Sequence, residues 1–99
     1  MAGGKTNSEP LSLRVVIFQD GTQWIAQALE RDLCTRGPDL EKVKSRLETL
    51  VSLERDYSKA HNKTPFDGIE PAPKFFHELW DKRSGFVQEA DNMQMALCA

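Results

Sequence analysis

The chain has little from which a covalent or metal-built scaffold could be made. Its only cysteines are Cys34 and Cys98, and the second is next to the last residue. One bridge to a chain end is no disulfide framework, and this usage fits a reducing compartment. Cys34 then reads as a small apolar side chain and Cys98 as a loose thiol. The only histidines, His61 and His77, have no metal-ligand spacing with each other or with either cysteine. Long hydrophobic runs are missing too. The longest, Val15 to Phe18, falls far short of the roughly 20 residues that cross a bilayer. No apolar stretch precedes Leu11, so no signal peptide is expected. Charge of one sign is also absent. Thirteen Lys and Arg against fifteen Asp and Glu leave a net charge of −2, which argues against non-specific adhesion to nucleic acid. Gly3-Gly4 follows no strand, so no phosphate-cradling loop is formed. No serine sits in a nucleophile elbow. These absences leave one small cytoplasmic domain, with no membrane contact and no cofactor, in a chain of 99 residues.

What is present is punctuation and periodicity. Residues 1–10 are polar and Gly-rich and read as a disordered arm. Asp20-Gly21 separates two β-prone runs, Leu13–Gln19 and Thr22–Glu30, and is a hairpin signal. A two-residue turn there sets Ile17 opposite Trp24 and Val15 opposite Ala26. One face then carries Leu13, Val15, Ile17, Trp24, Ala26 and Ala28 and should cover a helix. The other, carrying Arg14, Val16, Phe18, Gln23, Ile25, Gln27 and Leu29, is too apolar to be purely solvated. Glu30-Arg31-Asp32-Leu33 reads as a turn into a short third strand ending at Gly37.

From Pro38 to about Ala60, Leu40, Val43, Leu47, Leu50, Val51, Leu53 and Tyr57 recur at helical steps. Asp39 is a suitable N-cap, Asn62 a left-handed stop, and Pro65 blocks continuation. Charges of both signs alternate along this segment as on a solvated helix face. A connector with Phe66 and Ile69 leads to a second helix over Pro73–Arg83, in which Phe75 with Leu79, and Phe76 with Trp80, form i,i+4 pairs. Gly85 fits its stop. Residues 11–87 are thus expected to form one domain and 88–99 a flexible tail. The expected fold class is α+β: an antiparallel three-stranded sheet, β-β-β-α in order, packed on one long helix, with a short C-terminal helix.

Chemistry is sparse. Metal-dependent phosphoryl transfer needs carboxylates that converge on an ion. Asp20 lies at one end of the hairpin, and Glu30 and Asp32 lie roughly 30 Å away at the other. No catalytic, cofactor-binding or metal-binding residue is assigned, and the chain is not expected to be an enzyme. The aromatic cluster Phe75, Phe76 and Trp80 has two readings. It finishes the core, or it anchors a partner, since aromatics dominate interface hot spots.

The segment WIAQALERDLCTRG from Trp24 to Gly37, followed by PDLEKVKSRLETL, resembles the HicB-type antitoxin core. The matching positions are Asp20-Gly21, the alternating strand Trp24–Leu29, Gly37, Asp39 and Leu40. The stretch TPFDGIEPAPKFFHELWDK is similar to the C-terminal part of small stand-alone bacterial HicB-like proteins without a DNA-binding domain. The resemblance covers about residues 12–87. It implies a HicB-like, partial RNase H-like sheet and a protein partner, a small HicA-like ribonuclease toxin. After Lys63 there is no room for a complete helix-turn-helix, so DNA binding is not expected.

The reading is therefore a non-catalytic, antitoxin-like interaction module. Its partner-binding candidates are Arg14, Val16, Phe18, Ile25, Arg31, Phe76 and Trp80. It is expected to self-associate as a dimer through the mixed sheet face, to bind a toxin, or both. The alternatives are a small metal-dependent nuclease or hydrolase on the same sheet, or a weak nucleic-acid binder centred on Arg14, Arg31 and Arg36.

Overall fold

The computed structural model describes residues 12–98 apart from 65 and 91, with the backbone alone at 89 and 90. The expected arm, residues 1–10, lies outside the described residues. The hairpin is formed by β1 (Leu13–Asp20) and β2 (Gln23–Ala28), and β3 (Cys34–Gly37) follows. Two helices, α1 (Leu40–Ala60) and α2 (Lys74–Asp81), precede β4 (Arg83–Ala90) and β5 (Met93–Cys98).

The hairpin turn differs in detail from the sequence reading. Ile17 pairs with Ala26 and Val15 with Ala28, so the loop is Gly21-Thr22 rather than Asp20-Gly21. Only Gly21 has positive φ, at 67°, which is the type II′ pattern with Gly first. The register shifts by two residues. An even shift leaves every side chain on the face expected for it.

The fold class is α+β as expected, but the expected three-stranded antiparallel sheet is corrected. The sheet has five strands in the order β3-β2-β1-β5-β4. It is mixed, because β5 runs parallel to β1, with Leu13 beside Met93 and Ile17 beside Leu97. The residues read as a helix stop and a flexible tail supply both added strands. The physical reason lies in β1. Its residues Val15, Val16 and Ile17 are fully buried, so both faces and both edges of this strand must be covered. An unpaired edge beside β1 would leave a row of backbone donors and acceptors buried without partners.

Each sheet face carries one helix. Val43, Leu47 and Val51 of α1 pack with Leu13, Val15, Ile17, Ala26 and Ala28, joined by Met93 and Met95 from β5 and by Phe66 from the connector. This is the sheet–helix seam that the first face was expected to make. Helix α1 begins as expected, with Asp39 accepting the Lys42 N–H at 2.8 Å. It ends at Asn62, whose φ is 54°. Gly37 brings β3 against α1, where an added Cβ would sit 3.0 Å from the Val43 nitrogen. Nearby, the Thr35 hydroxyl donates to the Val43 carbonyl at 3.2 Å. The second sheet face is covered by α2, whose Trp80 packs with Val16, Leu29, Ala96 and Cys98. Among the described residues, no helix is long and apolar enough to cross a membrane.

Candidate functional site

Helix α2 is short, and its two apolar pairs point different ways. At 100° per residue, Phe76 and Trp80 share one flank and Phe75 and Leu79 the next. The first pair turns inward. Trp80 is buried, and Phe76 stacks on Phe18 with ring centroids 6.1 Å apart. In the second pair only Phe75 turns outward, while Leu79 is half-buried against the cluster that holds Trp80. Phe75 is 59% exposed and meets Phe76 edge-on at 5.2 Å. Beside it lies a groove of about 310 Å³ lined by Phe18, Gln19, Trp24, Phe75, Leu79, Leu97 and Cys98. The groove sits at the strand ends where β5 runs beside β1, with Phe18 and Cys98 from one sheet face and Trp24 and Leu97 from the other. Burial pushes the Cys98 thiol up from its ordinary value, which keeps it protonated and nearly apolar.

A charged rim surrounds the inner edge of α2. The Glu30 carboxylate accepts the Arg14 backbone N–H at 2.7 Å and the Arg14 Nε–H at 2.5 Å. Held this way, the Arg14 guanidinium lies 5.5 Å from the Trp80 ring centroid. Arg83 approaches the same ring at 4.8 Å and donates to the Trp80 carbonyl at 3.0 Å. Two cations over one indole reinforce its seat on the sheet. Phe86 of β4 completes the cluster, edge-on to Trp80 at 5.9 Å and 43% exposed.

The sequence-derived candidates fall into three groups. Arg14, Val16, Phe18, Phe76 and Trp80 are brought together under α2. Val16 and Trp80 are buried there, and Ile25, on the same sheet face, is 5% exposed. These three support the surface from beneath rather than presenting a side chain to it. Arg31 stands apart, donating to the Ile69 carbonyl at 2.7 Å and so pinning the connector. Beside Phe75, already part of the aromatic cluster, the groove adds Leu79, Trp24 and Leu97, which the sequence-based candidates did not include. The signal was the i,i+4 pair Phe75/Leu79, offset by one residue from Phe76/Trp80, which marks a helix with two apolar flanks.

The acidic side chains considered for metal chemistry are each engaged elsewhere. Glu30 is held by Arg14. Asp32 accepts from the buried Gln27 amide at 2.8 Å, and Asp20 faces Arg36 at 3.8 Å. Among the described residues no three His, Cys, Asp or Glu side chains gather where they could hold an ion. His61 stacks on Tyr57 at 4.1 Å, and its Nδ1 lies 2.8 Å from the Tyr57 carbonyl. His77 Nε2 lies 3.2 Å from the Ala72 carbonyl. Cys34 and Cys98 are both free thiols. No protein-family model, curated protein or solved structure matches this chain.

Proposed function

We propose that this protein is a non-catalytic interaction module that docks another polypeptide in the groove beside α2. The observation that carries the reading is Phe75, a large aromatic side chain 59% exposed at the lip of an apolar groove. Aromatic anchors with neighbouring pockets supply most of the binding energy in protein interfaces. Beneath it, Phe76 and Trp80 fix the helix to the sheet, so the anchor is presented on a rigid element. Arg14 and Arg83 flank the Trp80 ring rather than lining the groove, so they brace the helix that carries the anchor.

Two polypeptides are candidates for that groove, a second copy of this chain and a separate partner. The resemblance of residues 24–37 to a HicB-type antitoxin core makes a small HicA-like ribonuclease toxin the first separate partner to assay. The compartment we infer is the cytoplasm, supported by the cysteine usage. The test compares the purified full chain with Phe75→Asp in binding assays against itself and against such a toxin. Binding lost in the variant supports the groove as the docking surface. Binding indifferent to Phe75 overturns it. Turnover of RNA or DNA with magnesium or manganese, abolished in a Glu30→Gln, Asp32→Asn double variant, overturns the non-catalytic reading.

A further inference from the structure

We infer that the occupant of the groove is a second copy of this chain, docked antiparallel across a two-fold axis through α2. This rests on the groove being a docking surface. The added evidence is the order of residues along the helix. Lys74 directly precedes Phe75, and Glu78 directly precedes Leu79, so the same charged–apolar step recurs one turn later with its charge reversed. A two-fold perpendicular to α2 reverses the order of positions. It lays Phe75 on Leu79 of the second copy and, on the adjoining flank, Lys74 on Glu78 of the second copy. The centres required by these two pairings differ by one residue, so when one pairing is in register the other is displaced by two residues, about 3 Å of helix rise. Side chains of this length absorb that offset.

Lys74 and Glu78 are exposed. Among the described residues, neither forms an ion pair within its own chain. Each copy therefore carries both halves of the contact: an exposed ring, a groove beside it, and two complementary charges free to pair. Such a contact is isologous and closes at two copies. Two of the other exposed apolar side chains, Tyr57 and Phe86, do not offer this. Tyr57 of α1 is already stacked on His61 and lies 5.6 Å from the Lys63 ammonium. The β4 edge is broken by register shifts between Arg83 and Gly85 and between Phe86 and Gln88, which blunt strand-to-strand pairing.

The experiment is sedimentation of the full chain from micromolar concentration upward, with circular dichroism to confirm that each variant is folded. Wild type is expected near twice 11.2 kDa. Phe75→Asp is expected to be monomeric. Lys74→Glu and Glu78→Lys should each weaken the dimer about tenfold or more, by placing like charges together. The double variant Lys74→Glu, Glu78→Lys should restore it. A monomeric wild type overturns the inference, and so does a dimer that ignores Phe75→Asp or is not rescued by the exchange. A monomer whose Phe75 still governs binding of a different polypeptide overturns self-docking alone. A monomer with no Phe75-dependent binding overturns the docking surface as well.

Discussion

Truncating Met95 tests the part of the fold that departs furthest from the sequence reading. Met95 is fully buried and pairs in parallel register with Val15. Met95→Ala removes Cγ, Sδ and Cε from the seam between the sheet and α1. At about 0.8 kcal/mol per methylene-sized group, the lost transfer energy is about 2 kcal/mol. A residual cavity of roughly 40 Å³, at about 24 cal/mol per Å³, adds about 1 kcal/mol. The total of about 3 kcal/mol lowers the Tm of a domain this size by roughly 12–24 °C. Leu53→Ala is the control. Leu53 is 61% exposed on α1, and its truncation should stay within about 0.5 kcal/mol. Thermal and urea unfolding followed by circular dichroism measure both. Equal midpoints for the two variants would refute the packing of β5 against β1.

Gly37→Ala should cost about 1–3 kcal/mol in urea unfolding, because its Cβ would press on the Val43 backbone at 3.0 Å. Asp39→Ala should cost about 1 kcal/mol by orphaning the Lys42 N–H that Asp39 now satisfies. Burial raises the thiol of Cys98 above the ordinary 9.0. The folded chain thus holds a proton that the unfolded chain releases. Its stabilising effect is complete below the ordinary thiol value and lost as pH rises through the raised one. The urea midpoint should therefore fall, as pH rises past the ordinary thiol value, by more in wild type than in a Cys98→Ala variant.

The first half of the fold was legible because its signals are local. Alternation in Leu13–Ile17 and Trp24–Ala28 sorted the two sheet faces, and Asp39 and Asn62 bounded the long helix. The turn was misplaced by one residue, and the register with it by two, since Asp-Gly favours one loop by composition while Gly21-Thr22 forms the actual one. The last strand was hidden by its chemistry. Met93-Gln-Met-Ala-Leu-Cys98 lacks β-branched side chains, and its strand state comes from the open edge of β1, a tertiary demand that local preference does not report. One local sign existed. Asn92 has φ of 61°, and Asp91-Asn92 between two short runs is a turn signal of the kind that was read at Asp20-Gly21.

The functional surface was half legible for the same reason. The aromatic cluster on α2 admitted both a core role and a partner role, and the helix divides them between its flanks. Phe76 and Trp80 seal the sheet face that carries Val16 and Leu29. The mixed face was expected to associate because it was too apolar to be solvated, but it is covered within the chain. The unsatisfied apolar surface is thereby moved outward by one helix flank, from Val16 and Ile25 to Phe75 and Leu79. That displacement changes which substitutions separate folding from binding. Val16 or Trp80 truncation disturbs the support and therefore both properties. Phe75, 59% exposed and meeting Phe76 edge-on, can be changed with little cost to the fold.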